Sequence, residues 1–300
     1  MAVVLKKLWT AYDLVSEQLP DPRTRSWPFV VKPPVGIAIL VLYAVLVLKW
    51  GPKWMKNRQP FNLDKILIVY NIVQILACAY IFIEMLVYAW ATEYQWVCEP
   101  LDFSETPKAL NVARFVYHYH LTKYLDLLDT VFFVLRKKFN QVSFLHVFHH
   151  IAMVMVSWGA LSYLPGGHGA FIGLINTFVH VVMYSYYLLT VIDPAARESA
   201  WWKKHITQLQ ILQLALYCLY ISLVMVIPNC AYPAWPAYVV VPNDFFLLCL
   251  FVDFYIKTYV KKKPQTKAEN KIQQKKTEES SDNVISENDV LRERTLNGSM

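Results

Sequence analysis

Charge is scarce in this chain, and over long stretches it is missing. Residues 170–192 and 206–227 carry no formal charge, and residues 66–89 carry only Glu84. Each run is long enough to cross a bilayer, which takes ~20 apolar residues per helix. With 56% hydrophobic and 15% aromatic residues, the 300-residue chain is too apolar for a soluble domain of its size. A second lack lies at the N-terminus. Lys6 and Lys7 are not followed by a continuous apolar run, because Asp13, Glu17 and two prolines intervene, so a cleaved signal peptide is not expected. From about residue 261 aromatics run out and Lys, Glu, Asn, Ser and Gln dominate. Such a segment cannot bury enough apolar surface to fold and reads as a disordered tail.

Four further segments complete the count of spans. Residues 35–48, 142–161 and 238–255 are shorter or more polar, and residues 110–135 contain Arg114, Lys123, Asp126 and Asp129. Seven membrane helices are therefore expected, in an all-α membrane protein. The chain divides into an N-terminal segment 1–28, a seven-helix domain 29–257 and a basic tail 258–300.

The connections alternate in charge, and short basic loops stay in the cytosol. Lys49, Lys53, Lys56 and Arg58 follow the first span, Arg136, Lys137 and Lys138 the third, and Arg197, Lys203 and Lys204 the fifth. Lys257, Lys261, Lys262 and Lys263 open the tail, whereas the intervening connections are acidic (Glu93, Glu99, Asp102, Glu105) or uncharged. This places the N-terminus on the lumenal or outer side and the tail in the cytosol. The Asn297-Gly298-Ser299 sequon then lies in the cytosol and should stay unmodified.

Cysteine is also sparse, with five residues. Cys78, Cys218 and Cys249 sit in spans, where they pack as small hydrophobes. Cys98 and Cys230 fall in two loops assigned to the lumenal side, where an oxidising compartment allows the disulfide expected between them.

The charges in the third span need an explanation, because one charge at mid-membrane costs ~2.5–3.5 kcal/mol on insertion scales. At 100° per residue, Lys123, Asp126, Asp129 and Thr130 share an arc of about 120°. One flank can bury them against other helices, as a structural ion pair or as part of a site. In the fourth span, His146, His149 and His150 form an HxxHH pattern within an arc of about 100°. Such a face suits metal ligation or nucleophilic and acid–base catalysis, and the spacing does not choose between them. Asn176, His180, Tyr184 and Tyr187 share a face of the fifth span, and Thr207, Gln210 and Gln213 one of the sixth. A lone His180 would read as a hydrogen-bonded core residue; its company argues for more. At ~1.5 Å per residue these groups fall roughly 10–20 Å from the basic loops, at overlapping depth. They outline one buried chamber opening to the cytosol, with Arg136, Lys137, Lys138, Lys203 and Lys204 at its mouth. That basic ring suits a polyphosphorylated substrate such as a CoA thioester, although loops on the cytosolic side are basic in any case.

Five blocks between about residues 61 and 255 resemble the elongation-of-very-long-chain-fatty-acid proteins, membrane 3-oxoacyl-CoA synthases of the endoplasmic reticulum. They run from Lys123-Tyr-Leu-Asp126-Leu-Leu-Asp129-Thr130 and Phe132-Phe133-Val-Leu-Arg136-Lys137 to His146-Val-Phe-His149-His150. Asn176-Thr-Phe-Val-His180-Val-Val-Met183-Tyr184-Ser-Tyr186-Tyr187 and Thr207-Gln-Leu-Gln210-Ile-Leu-Gln213 follow in the same order. The resemblance implies that the last six helices form a barrel around a narrow acyl-chain tunnel. It implies condensation of a long-chain acyl-CoA with malonyl-CoA to a 3-oxoacyl-CoA, carbon dioxide and CoA, with no cofactor or metal. His149 is then the nucleophile forming an acyl-imidazole, with His180 and Asn176 as electrophilic or oxyanion partners and His146 and His150 as orienting or acid–base groups. Asp126, Asp129 and Lys123 would fix imidazole tautomers. Arg136, Lys137, Lys138, Tyr184, Tyr187, Lys203, Lys204, Gln210 and Gln213 would bind substrate. The expected partners are the two substrates, the bilayer and the reductases and dehydratase of an elongation cycle, with no nucleic acid. Residence in the endoplasmic reticulum rests on the resemblance, since the Asn-Gly-Ser-Met ending carries no lysine retrieval signal.

Two other classes compete. A di-iron desaturase or hydroxylase also uses HxxHH boxes but needs several of them. Here there is one box, with His168 and His205 alone and His118 and His120 a pair. A seven-helix receptor or transporter would share the topology, but the polar residues form one nucleophile-like cluster with no evident inverted repeat.

Overall fold

A computed structural model describes residues 2–30, 32–91 and 94–261. The sequon, the tail beyond Lys261 and Glu93 lie outside the described residues. Residues 1–255 and 256–300 are two separate units; of the second, the described part is a π-helical stretch, Ile256–Val260, followed by Lys261.

The described fold is helical throughout. In the first unit α1 (Ala2–Asp13) is followed by α2 (Pro33–Val45), α3 (Gly51–Met55), α4 (Asp64–Met85) and α5 (Pro107–Leu135). Next come α6 (Phe144–Tyr163), α7 (Phe171–Ile192), α8 (Pro194–Glu198), α9 (Ala200–Val226) and α10 (Trp235–Tyr255). Six helical stretches, built on α2–α3, α4, α6, α7, α9 and α10, are long and apolar enough to cross a membrane. The remaining long helix, α5, is 29 residues and carries Arg114, Lys123, Asp126 and Asp129.

The helix starts have local causes. Pro107 occupies the first turn of α5, and the Thr106 hydroxyl accepts from the Ala109 N–H. At α6 the Ser143 hydroxyl accepts from the His146 N–H, so the helix begins at Phe144, two residues later than its hydropathy suggests. The first span departs more from expectation. A π-helical turn, Leu46–Trp50, carries α2 directly into α3, so Lys49 and Lys53 lie on a helical extension and not in a loop. The N-terminal segment contains α1, continued by a π turn through Gln18.

Helix contacts close a ring: α4 packs on α7, α7 on α9, α9 on α10, α10 on α6, α6 on α5 and α5 on α4. These are the last six long helices. α2 and α3 lie outside it against α5, where the buried Tyr43 and Thr130 hydroxyls meet at 2.6 Å. Apolar side chains on the outer faces, among them Val69, Leu76, Ile83, Leu216, Leu219 and Phe245, are exposed, as lipid contact requires.

At the end of the ring expected to be lumenal, Cys98 and Cys230 are joined by a disulfide between the α4–α5 and α9–α10 connections. His168, fully buried, clasps the same corner. Its Nδ1 accepts from the Cys98 N–H at 3.2 Å, its own backbone N–H donates to Glu99 O, and Nε2 donates to Tyr220 O at 2.9 Å. The imidazole also stacks on the Tyr220 ring with centroids 3.9 Å apart. Gly167 has φ +62°, and a Cβ there would press on Pro100 O and Tyr232, so the turn into the clasp requires glycine. The bridge closes a loop of 132 residues, and replacing both cysteines by serine should cost roughly 2–4 kcal/mol of stability. Thermal unfolding in detergent with and without reductant, alongside non-reducing peptide mapping, checks this; unchanged unfolding would mean that the His168 clasp alone holds the corner.

Candidate active site

The charges of α5 are buried inside the ring. Lys123 is 2% exposed and Asp126 3%. The Lys123 ammonium donates to Asp126 Oδ2 at 2.8 Å and to Asn176 Oδ1 of α7 at 2.9 Å. Asp126 Oδ1 accepts from Gln74 Nε2 of α4 at 2.8 Å and from the Tyr184 hydroxyl of α7 at 3.0 Å, and the same hydroxyl lies 2.9 Å from Asp129 Oδ2. Asn176 also accepts from the Tyr119 hydroxyl and donates to Gln213 Oε1 of α9, both at 3.2 Å. Four helices thus share one hydrogen-bond network, which removes the cost of unpaired charge in the membrane.

His180 Nδ1 lies 3.7 Å from Asp126 Oδ2. The α6 histidines meet edge-on beside the network: ring centroids are 4.3 Å apart for His146 and His150 and 5.6 Å for His149 and His150. His146 packs on Phe133 of α5, and His149 faces Phe251 of α10. Lys123, Asp126 and His146 are within electrostatic reach of His149. Among the described residues, His146 Nε2, His149 Nδ1 and His180 Nδ1 are buried without a hydrogen-bond partner. His149 is itself half-buried, and its Nδ1 stands inside the ring without a hydrogen-bond partner. Among the described residues no three His, Cys, Asp or Glu side chains gather closely enough to hold one metal ion.

The residues expected at the mouth divide. Arg136 reaches Asp64 at 3.6 Å. Lys138 is held below the usual lysine range by partial burial first and then by the positive charges of Arg136, Arg197 and Lys203, so these four cations share one field. Lys137 turns away: in a left-handed conformation, φ 56°, it donates to Lys56 O. Lys204 is exposed. Gln210 donates to Met183 Sδ at 3.4 Å, outside the Asp126 network, and Tyr187 packs edge-on to Tyr184. Thr130 leaves the acidic face to bond Tyr43.

Two contributors were missed from sequence. Gln74 is fully buried and approaches Asp126, Tyr184 and the Tyr70 hydroxyl; Tyr119 bonds Asn176. The signal for Gln74 was available, since Asn71 and Gln74 interrupt the apolar run of the second span.

The arrangement defines a multi-span helical membrane protein with a buried lysine–carboxylate–histidine site and a basic rim at the opposite end from the disulfide. Its family follows from comparison with known proteins: the GNS1/SUR4 family, ELO, matches residues 28–267, and the chain belongs to that family. It is 40% identical over 248 residues to a protein of Drosophila melanogaster named very long chain fatty acid elongase 7, covering 83% of this chain and 75% of the relative. It is 41% identical over 247 residues to mouse very long chain fatty acid elongase 1, covering 81% of this chain and 88% of the relative. The human elongase 1 is 39% identical over the same shares.

Replacing Gln74 by Leu removes donors from Asp126 and Tyr184 and leaves a buried charged oxygen short of a partner, a loss of about 1–3 kcal/mol. Gln74→Leu should lower thermal stability in detergent and reduce activity. Gln74→Glu, which sets a third carboxyl against Asp126, should do worse; equal stability in all three proteins would remove Gln74 from the network.

Proposed function

We propose that this protein is the condensing enzyme of fatty-acid elongation, joining a long-chain acyl-CoA to malonyl-CoA to give a 3-oxoacyl-CoA, carbon dioxide and CoA, without a cofactor. The observation that carries this reading is the unpartnered His149 nitrogen in a ring of buried polar groups, in a chain whose family relatives are named fatty acid elongases. The neutral imidazole attacks the acyl thioester carbon, and the acyl-imidazole formed is more reactive than the parent thioester. Loss of carbon dioxide from malonyl-CoA then yields an enolate carbon nucleophile without a strong base. Negative charge developing on the carbonyl oxygens needs donors already in place, a role for His180 and the Asn176 amide, whose orientation is fixed by Lys123, Tyr119 and Gln213. His150 meets the His149 ring edge-on and orients it, and His146 braces His150 in the same way.

The basic rim binds the CoA phosphates, and the acyl chain enters the ring between its helices. Residues 29–257 form the catalytic domain and 258–300 a cytosolic tail, with residues 1–28 and the disulfide in the lumen of the endoplasmic reticulum. The 3-oxo product requires reduction, dehydration and a second reduction, so the reductases and dehydratase of that cycle are the functional partners.

Mixing the protein with acyl-CoA alone should release CoA stoichiometrically and add one acyl mass, seen by intact-protein mass spectrometry; both should vanish in His149→Ala. CoA release that waits for malonyl-CoA would mean direct condensation. Neutralising the rim in Arg136→Ala/Lys203→Ala should raise the KM for CoA thioesters about 10-fold, with the loss shrinking as salt rises, while kcat changes little. A fall in kcat at unchanged KM would place these cations in the chemistry and not in binding.

A further inference from the structure

The Tyr184 hydroxyl faces two carboxylates with one proton to give. It lies 3.0 Å from Asp126 Oδ1 and 2.9 Å from Asp129 Oδ2, while Gln74 Nε2 donates to the Tyr184 hydroxyl oxygen at 3.2 Å. A phenol donates once. Were both carboxyls ionised, one carboxylate oxygen would face a phenol lone pair in a buried site, with two like charges separated by a single hydroxyl. One added proton resolves both conflicts, because a carboxylic acid donates to the phenol oxygen while the phenol donates to the other carboxylate.

The surroundings choose which carboxyl carries it. Asp126 takes the Lys123 ammonium and the Gln74 amide and has His180 beside it. Among the described residues no cation pairs with Asp129. Its neighbours are the Tyr184 hydroxyl from α7, the Tyr70 hydroxyl from α4 with Gln74 beside it, the Asp126 carboxylate on its own helix and, through the adjacent Thr130, Tyr43 from α2; Lys123 acts on it only at longer range, from its pairing with Asp126. We propose that Asp129 is held as a neutral carboxylic acid and is the proton store of the condensation, connected to the histidines through Tyr184 and Asp126.

What the proton is used for rests on the function proposed above. In the first step the acyl C–S bond breaks, a C–N bond forms on His149, and the imidazole proton leaves on the CoA sulfur as thiol. In the second, the malonyl C–C bond to the carboxylate breaks and carbon dioxide departs. The electron pair forms the new C–C bond to the acyl carbon, the acyl C–N bond breaks, and the imidazole nitrogen is left needing a proton. Each turnover therefore takes up one proton, in the second step. Asp129 gives its proton to the Tyr184 oxygen as Tyr184 passes its own to Asp126 Oδ1. The Asp126 carboxyl, protonated on Oδ1, then rotates about its Cβ–Cγ bond to turn that O–H toward His180 Nδ1, which lies 3.7 Å from Oδ2, and gives it the proton; His180, within electrostatic reach of His149, passes the proton on its other ring nitrogen to the imidazole. Asp129 is then reprotonated from cytosolic water.

Infrared difference spectroscopy of the full chain in lipid nanodiscs tests the store without reference to activity. At neutral pH the wild type should show a protonated-carboxyl C=O band that is lost in Asp129→Asn and kept in Tyr184→Phe; Asp244→Asn and Glu99→Gln account for two further buried carboxyls that no cation pairs with among the described residues. Loss of a carboxylate band in Asp129→Asn, with the carboxylic acid band intact, would overturn the proposal. Rapid-mixing kinetics test its use. Asp129→Asn should slow the malonyl-CoA-dependent step about 100-fold more than CoA release from acyl-CoA alone. Equal slowing of both steps, or no slowing, would overturn the relay. Wild type that releases no CoA before malonyl-CoA is added would refute the acyl-imidazole, and the infrared result would still decide Asp129. If Asp129→Asn fails to fold, the wild type carrying carbonyl-labelled aspartate gives the same band, and Tyr184→Phe tests its use.

Discussion

The Lys123–Asp126 ion pair is the constraint on which the site and the ring both depend. Neither charge is tolerable alone in a membrane interior, and removing one partner of a buried pair leaves the other uncompensated, at about 3–5 kcal/mol. The pair is not self-sufficient. Its remaining hydrogen-bonding capacity is met by Gln74 from α4, Tyr184 and Asn176 from α7, and at one remove by Gln213 from α9. Helices that would otherwise meet only through apolar side chains are thereby given a fixed register and rotation. The histidines inherit that order, since α6 packs on α5 and places His146 toward it and His149 toward α10, with His150 between the two.

The site combines order with idleness. The carboxylates, amides and phenols are bonded to one another, whereas key imidazole nitrogens are left without a partner. Preorganised donors beside unpartnered imidazoles would suit a reaction passing through charged intermediates, because no hydrogen bond has to be broken before a substrate is engaged.

Much of this was legible in the sequence. The helices follow from long uncharged runs, and the polar face of α5, the HxxHH box and the Asn176–His180–Tyr184 face follow from helical periodicity, because turns of 3.6 residues hold whether or not the neighbours are known. Depth along each helix placed the groups at a common level. What stayed hidden was pairing across helices. Gln74 looked like one polar residue in an apolar span until α4 was seen beside α5. Lys137 was read with its two basic neighbours, but a left-handed turn points it elsewhere. Thr130 shared an arc with the acidic residues, yet such an arc is wide enough to serve two partners, and it serves α2. The continuation of α2 through a π turn was masked by lysines that hydropathy reads as a loop.

The burial of α5 also orders how the chain is built. This helix cannot rest in lipid by itself, yet Tyr184, Asn176 and Gln213 lie on α7 and α9, which leave the ribosome after it. Of the partners of its ion pair only Gln74 precedes it. α5 must therefore wait in a polar environment, at the insertion channel or against an assembly factor, until at least α7 has been made, and membrane integration and tertiary folding become one event for this protein.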